Sequence, residues 1–204
     1  PARLRAPVPD PQAFLGVGLN YRDHAAEVGR ALPEVPPVFA KLAAAVAPPF
    51  GTVPCCETLD YETELGVVIG AEGRIAGYVV VGDFTRRALA KPDTLALAKG
   101  GAGHGPFGPW IVTADELGDV PDLRIRTWVN GELRQDSRTS QLHVGCAALV
   151  AWIGDIVPLV PGDIVSTGSP GGSGAGFSPP RWLAPGDVVR GEIEGIGAIE
   201  HIIA

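Results

Sequence analysis

Two nearly continuous apolar runs constrain the fold of this chain more than any other feature. The runs are Leu65 to Gly70 and Ile75 to Gly82, and only the residues Ala71 to Arg74 separate them. Short apolar runs that are bounded by turn residues are typical of strands buried on both faces. The sequence therefore predicts two buried strands joined by a tight connection.

Turn residues punctuate the rest of the chain and indicate many short strands. The 28 Gly and 20 Pro are scattered between β-branched runs rather than gathered in one tract, which is typical of turns and not of a disordered segment. Asn130-Gly131 predicts a type I′ hairpin turn, and residues 43–57 are predicted to form a loop. Further strands are predicted at 14–18, 36–42, 110–113, 123–129, 164–167 and 188–189.

The predicted helices are few. Apolar residues recur at helical spacing in residues 140–157, which predicts the one long helix, and brief helical segments are predicted around His24 and at 114–117. Because strands and helices do not alternate, a doubly wound sheet is not expected. The predicted class is a strand-dominated α+β fold, with residues 1–13 as a Pro-rich N-terminal arm and residues 14–204 as a single domain.

Composition excludes several classes of partner. A net charge of -7 over 204 residues and an isoelectric point near 5.0 argue against nucleic acid and anionic membranes. No apolar run approaches the roughly 18 residues that a membrane span requires, and no signal peptide is recognised. The three cysteines (Cys55, Cys56 and Cys146) have no metal-binding spacing, so we expect free thiols and a cytoplasmic protein.

His24 and Glu27 form the first candidate for catalytic chemistry. They lie three residues apart in a predicted helical segment, so their side chains share one face. A carboxylate beside a histidine fixes the tautomer of the ring and raises its basicity, as a general base for water requires. Taken alone, such a pair is more typical of a solvated helix surface.

Three carboxylates form the second candidate. Glu62 and Glu64 open the first apolar strand and point to the same face of it, and Asp83 directly follows the second strand. If the two strands are neighbours, the three side chains meet at one rim. Carboxylate oxygens without His or Cys suit Mg²⁺ or Mn²⁺. The alternative is that Glu62 and Glu64 are a solvated edge and Asp83 is a turn residue.

A series of runs, in a fixed order through almost the whole chain, resembles the fumarylacetoacetate hydrolase family. Many pieces in the right order are more specific than any single piece. The resemblance implies a mixed β-sandwich roll, usually assembled as a homodimer, with a divalent metal at its mouth. The matching runs are GLNYRDHAAE (18–27), PPVFAK (36–41), ETELGVVIG (62–70), GYVVVGDFTRR (77–87), AKGG (98–101), GPFGPWIVT (105–113), VNGELRQDSRTS (129–140), PGDIVSTGSPGG (161–172) and PGDVVRGEIEGIG (185–197).

The same resemblance assigns roles by matching position. It implies that Glu62, Glu64 and Asp83 bind the metal, and that His24 and Glu27 activate water from a segment that often acts as a lid. Lys99 would face the oxygens of the substrate. The residues that would help to hold a substrate carboxylate are Arg87, Thr167, Gly168 and Ser169.

The implied reaction is hydrolysis of a C–C bond in an acylpyruvate-type 2-oxo acid, through an enolate that the metal stabilises. Decarboxylation of oxaloacetate and isomerisation of a 2-hydroxy-diene-dioate would use the same metal site, and both remain alternatives. A non-catalytic binding or oligomer-forming subunit with the same fold is an alternative from another class.

Several positions depart from the family pattern. Ala88 and Ala90 stand where the family has Asp and Gln, and Ala102 and Gly103 stand where it has an Asp-Thr pair. Such losses remove groups that support ligands and substrate, which commonly costs tenfold or more in metal affinity or activity. Lys41 is interpreted as structural, with the alternative that it faces the site.

Overall fold

A computed structural model describes residues 3–118 and 122–204; residues 1 and 2 of the predicted arm lie outside this range. The helices are α1 (Arg22–Glu27), α2 (Leu95–Lys99), α3 (Ala114–Leu117) and α4 (Cys146–Gly154). The strands are β1 (Phe14–Val17), β2 (Val38–Ala40), β3 (Val46–Ala47), β4 (Phe50–Val53), β5 (Leu59–Asp60), β6 (Thr63–Ile69), β7 (Ile75–Gly82), β8 (Thr85–Arg86), β9 (Gly105–Thr113), β10 (Arg124–Val129), β11 (Glu132–Arg138), β12 (Ile164–Ser166), β13 (Val188–Ile193) and β14 (Gly197–Ile203).

Two mixed sheets make up most of the fold. The first is seven-stranded, in the order β2-β1-β12-β6-β7-β9-β3, and the second is five-stranded, in the order β11-β10-β13-β14-β4. The pair β5-β8 forms a separate two-stranded sheet. The prediction of a strand-dominated α+β fold is confirmed. None of the helices within the described ranges is long and apolar enough to cross a membrane.

Strands β6 and β7 lie inside the seven-stranded sheet, and layers cover both of its faces there. Every residue of β6 is buried. This double burial explains why both strands are almost entirely apolar. On one face, Leu65, Val67 and Val80 belong to a core cluster that also contains Ile125 and Ile193 of the second sheet and Leu149 of α4. The opposite face includes Val68, Val79, Val81, Phe107 and Ile164, with Ala6 and Val8 of the N-terminal segment packed against it.

The hairpin prediction at Asn130-Gly131 is also confirmed. Both residues have positive φ angles, 52° and 79°, as a type I′ turn requires. The turn joins β10 to β11, which pair antiparallel with a register shift after Thr127.

Several segments differ from expectation, and residues 140–157 and 43–57 show why; β14 and α2 were also not predicted. Helix α4 begins only at Cys146 because the preceding residues serve the α1 segment: Asn20 Oδ1 accepts from Val144 N at 2.9 Å, and Tyr21 bridges to Leu142. Residues 43–57, predicted as loop, contain β3 and β4, which pair in parallel with β9 and β14. Because their pairing partners are far away in the sequence, a local sequence pattern does not predict these two strands.

His201 on β14 makes the stability of the fold depend on pH. It is 2% exposed, its Nε2 donates to Pro48 O at 3.0 Å, and burial lowers its pKa. The unfolded chain therefore binds a proton near pH 6.5 that the folded chain resists. We expect the free energy of unfolding to fall as the pH decreases from about 7 through this range.

Urea unfolding of a His201→Gln variant between about pH 5 and 8 tests this expectation. The glutamine amide can still donate to Pro48 O but does not titrate, so the pH slope is expected to become flatter. A His143→Gln variant, whose side chain is partly exposed, serves as the control. Equal slopes in the two variants would contradict the prediction.

Candidate metal centre and the residues around it

The β6–β7 hairpin brings three carboxylates together. Thr63 pairs with Gly82 in the antiparallel register, and Asp83 N donates to Glu62 O at 2.8 Å. Within the described residues, Glu62, Glu64 and Asp83 are the one group of three whose candidate ligand atoms all lie within 4.8 Å of one another, and all three are buried. Such a set of oxygen donors, taken out of water, fits a hard divalent cation.

The pKa of Glu64 is raised. Burial and, after it, the charge of Asp83 raise its pKa to about 8, although Lys99 opposes this shift. Glu64 Oε2 accepts hydrogen bonds from Ser166 Oγ and, at 3.0 Å, from Gly168 N. Repulsion between buried carboxylates is relieved by a proton or by a cation.

Glu62 behaves in the opposite way. Burial alone would raise its pKa, but the charges of Arg87 and Lys99 outweigh burial and hold the pKa well below the ordinary value. His24 makes a smaller contribution in the same direction. Glu62 is thus an anion at neutral pH.

Lys99, at the end of α2, lies among the carboxylates as the resemblance implies. Its Nζ donates to Glu62 Oε2 at 2.5 Å, to Thr85 Oγ1 at 2.9 Å and to Asp83 Oδ2. Burial would lower the pKa of Lys99, but the charges of Asp83 and Glu62 raise it above its ordinary value. Lys99 is therefore a fixed cation in the site.

Lys41 is a second lysine at the centre, and its contacts favour the alternative that it faces the site. Its Nζ donates to Asp83 Oδ1, to Lys99 O at 2.8 Å and to His104 O at 3.2 Å. The Lys41 and Asp83 side chains are both 0% exposed. Lys41 thus ties Asp83 to the end of α2; the sequence signals for it were its position directly after β2 and its place in the run PPVFAK (36–41).

Arg87 contacts carboxylates of the protein itself. Its Nε donates to Asp60 Oδ2 at 2.7 Å and its Nη2 to Glu62 Oε1 at 2.8 Å. Asp60, which the sequence analysis missed as a site residue, also accepts from Gly174 N at 2.7 Å. Arg87 therefore orients Glu62, and its role in holding a substrate carboxylate stays a prediction.

The His24–Glu27 pair is formed on α1. His24 Nδ1 lies 3.1 Å from Glu27 Oε2, and the side chains are 15% and 26% exposed. Glu27 Oε1 accepts from Gly172 N at 2.8 Å. Gly172 has a φ of +95°, and a Cβ there would lie 2.1 Å from Arg134 O, so only glycine fits. The loop after β12 thereby orients the histidine from a distant part of the sequence.

The predicted carboxylate-holding segment follows β12. Gly168 N donates a hydrogen bond to Glu64 Oε2, and Asn20 Nδ2 donates one to Thr167 O at 2.9 Å. Thr167 Oγ1 is buried and has no hydrogen-bond partner within the described residues, and Ser169 is 6% exposed. A buried hydroxyl without a partner costs free energy that a bound polar ligand would offset.

The positions that depart from the family pattern lie at turns. Ala88 and Ala90 belong to the turn after β8, where Ala88 N donates to Thr58 Oγ1 at 2.9 Å. Gly103 has a φ of +72°, and its backbone N donates a hydrogen bond to Ala44 O at 2.9 Å. None of these side chains supplies a polar group, so the buried carboxylates rely on Lys41, Arg87 and Lys99.

The chain is similar to known proteins in both sequence and fold. Residues 13–204 match the sequence model of the fumarylacetoacetate (FAA) hydrolase C-terminal domain. A Mycobacterium smegmatis protein described as a candidate HpcE is 41% identical, with a TM-score of 0.94 over 100% of this chain and 78% of that chain. The 5-carboxymethyl-2-hydroxymuconate delta-isomerase of M. smegmatis is 34% identical, with a TM-score of 0.85 over 99% of this chain and 82% of that chain.

A third solved structure includes a metal. Fumarylpyruvate hydrolase from Pseudomonas aeruginosa, in complex with Mn²⁺ and pyruvate, is 29% identical, with a TM-score of 0.83 over 95% of this chain and 90% of that chain. This chain belongs to the fumarylacetoacetate hydrolase family. The named relatives with this fold are enzymes, an isomerase and a hydrolase.

Proposed function

We propose that this chain is a divalent-metal-dependent enzyme that hydrolyses a C–C bond in an acylpyruvate-type 2-oxo acid. The observation that carries the proposal is the buried group of Glu62, Glu64 and Asp83, with ligand atoms within 4.8 Å of one another. Three carboxylates in a buried site are costly unless cations neutralise them. Lys41, Arg87 and Lys99 supply part of that neutralisation through Glu62 and Asp83, and a divalent cation bound by all three carboxylates would supply the rest.

The donor set fits Mg²⁺ or Mn²⁺, since both prefer carboxylate oxygens. Bound there, the ion would supply Lewis acidity toward the carboxylate and keto oxygens of a 2-oxo acid. The Mn²⁺ and pyruvate named for the P. aeruginosa relative support this choice of cation and ligand. Arg87 and Lys41 would hold Glu62 and Asp83 in place.

His24 and Glu27 are proposed to supply the water chemistry. With Nδ1 directed at Glu27 Oε2, the other ring nitrogen is left to take a proton from a water molecule. Glu27 stabilises the positive charge that the ring then acquires. Lys99 would stabilise negative charge on substrate oxygens, an electrostatic effect typically worth about 3 kcal/mol per group.

Isomerisation is the second candidate. The similarity to the 5-carboxymethyl-2-hydroxymuconate delta-isomerase favours it. Moving a proton between carbons, or releasing CO₂ from oxaloacetate, needs the same cation-binding centre but no attacking water. The discriminating residues are therefore His24 and Glu27.

Release of pyruvate from an acylpyruvate, with Mg²⁺ or Mn²⁺ added after treatment with a chelator, tests the proposal. We expect turnover that depends on the metal. Failure with acylpyruvates but metal-dependent conversion of oxaloacetate or of a 2-hydroxy-diene-dioate would favour the alternative reactions. Inactivity toward every 2-oxo acid in the presence of either metal would favour a non-catalytic subunit.

A Glu27→Gln variant separates hydrolysis from the alternatives. We expect hydrolysis to decrease by about 10²- to 10⁴-fold, because the histidine loses the carboxylate that orients it. Decarboxylation of oxaloacetate, which needs no attacking water, is expected to change little. The control is Glu34→Gln at an exposed position. An equal decrease in both reactions would contradict the assignment of Glu27 to water activation.

A further inference from the structure

Two adjacent cysteines, Cys55 and Cys56, lie in the loop between β4 and β5 and have no part in the proposed reaction. Both are free thiols of intermediate exposure. They border a surface cavity of about 420 Å³ that Glu57, Arg86, Ala88 and Leu89 also line. Small molecules can therefore reach the pair from solvent.

The cysteine pair has a cationic neighbour. Arg86 lines the same cavity as Cys55 and Cys56, and its interaction with the Cys56 side chain is the main cause that raises the pKa of Arg86. Glu57 raises the pKa of Arg86 by a smaller amount. A thiolate is the reactive form of cysteine, and a neighbouring guanidinium stabilises its negative charge.

We propose that Cys56 is a peroxide-reactive thiol and that Cys55 resolves its oxidised form. In the first step the Cys56 sulfur attacks a hydroperoxide, the O–O bond breaks, and a sulfenic acid and one molecule of water or alcohol form. In the second step the Cys55 thiol displaces water from the sulfenic acid and the S–S bond forms. Two thiols are oxidised and one hydroperoxide is reduced, so no further reactant is needed.

The resulting disulfide is strained, which makes the modification reversible. Adjacent Cα atoms across a trans peptide lie about 3.8 Å apart, whereas disulfides usually join Cα atoms about 4.4 to 6.8 Å apart. Strained disulfides have more oxidising potentials and are easily reduced. The pair is thus suited to a transient state and not to a permanent cross-link.

A short backbone path connects the cysteine pair to the metal centre. Leu59 N donates to Cys56 O at 3.2 Å, and Thr58 O accepts from Arg87 N at 3.0 Å. Thr58 has a φ of +57°, so this turn has little conformational freedom. Closing a strained ring at Cys55–Cys56 displaces the turn and, with it, Arg87, which orients Glu62.

Cys146 offers an internal control for reactivity. It is 5% exposed, and burial raises its pKa to about 12. After limited treatment with hydrogen peroxide, mass spectrometry is expected to find two hydrogen atoms lost from the peptide that contains Cys55 and Cys56, and Cys146 unmodified. A dithiol reductant is expected to restore the peptide. Equal oxidation of Cys146 would overturn the proposal.

Two variants test the separate roles. Cys55→Ser is expected to accumulate a sulfenic acid at Cys56 that a dimedone probe captures. Arg86→Gln is expected to slow oxidation at least about fivefold, whereas Arg74→Gln, at an exposed position, is expected to leave the rate unchanged. An unchanged rate in Arg86→Gln, or a sulfenic acid that appears at Cys55 instead, would overturn the assignment.

The effect on the metal centre is a separate measurement, and it rests on the proposed function. Calorimetry with Mn²⁺ is expected to give about tenfold weaker binding to the oxidised protein, because a residue that orients a ligand has moved. The Cys55→Ser/Cys56→Ser double variant is expected to keep its affinity under peroxide. Equal Mn²⁺ affinity of the oxidised and reduced protein would overturn the proposed effect of the disulfide on Arg87 and Glu62. If neither form binds Mn²⁺, the proposed function fails, whereas the proposed thiol chemistry is unaffected.

Discussion

Replacing Glu64 with glutamine is expected to abolish metal-dependent turnover and to weaken Mg²⁺ or Mn²⁺ binding by at least about 100-fold. The 100-fold loss of affinity is a minimum, because removing a residue that only orients a metal ligand already lowers metal affinity or activity by about 10- to 100-fold. In the parent protein, Ser166 Oγ and Gly168 N donate hydrogen bonds to Glu64 Oε2. The side-chain oxygen of glutamine can still accept both hydrogen bonds. The fold is therefore expected to persist, since the variant also removes a repulsion with Asp83.

Titration calorimetry and steady-state turnover measure this effect. A Glu72→Gln variant is the matched control, because that carboxylate is 80% exposed and pairs with Arg74 at the surface. Unfolding curves of the two variants check that the folded state is retained. Metal affinity in Glu64→Gln within twofold of the parent protein would rule out Glu64 as a ligand.

Lys41→Met is expected to lower the free energy of unfolding by about 3 to 5 kcal/mol, the usual cost of removing one partner from a buried ion pair. Methionine fills much of the same volume but donates no hydrogen bond. Asp83 Oδ1 would lose its donor, and the carbonyl oxygens of Lys99 and His104 would lose theirs.

Urea denaturation of the metal-free protein measures the loss, and Lys91→Met at an exposed position is the control. The control is expected to change stability by less than about 0.5 kcal/mol. A Lys41→Met variant as stable as the control would show that Lys99 alone neutralises Asp83. In that case Lys41 would not tie Asp83 to α2.

The carboxylate cluster could be predicted because its geometry is local. Glu62 and Glu64 share a face through the two-residue period of a strand, and Asp83 follows the strand that pairs with it. The two apolar runs predicted strands β6 and β7 directly. His24 and Glu27 are likewise neighbours on one helical turn, so their contact followed from spacing.

The supporting residues could not be predicted because their contacts span long distances in sequence. Lys41 reaches Asp83 across 42 positions, and Gly172 reaches Glu27 across 145. Strand β4 likewise forms only through pairing with β14. Local periodicity carries no information about such contacts; they depend on how the two sheets are assembled.

The network of ion pairs at the metal centre has a consequence for the order in which ligands bind. Its anionic groups are nearly balanced by its cationic groups, so a divalent cation that arrived alone would leave an excess of positive charge. An anionic 2-oxo acid would offset that excess, and by thermodynamic reciprocity each ligand would strengthen the binding of the other. The site would then fill most readily with cation and anion together. The groups in this network are Asp60, Glu62, Glu64, Asp83, Lys41, Arg87 and Lys99.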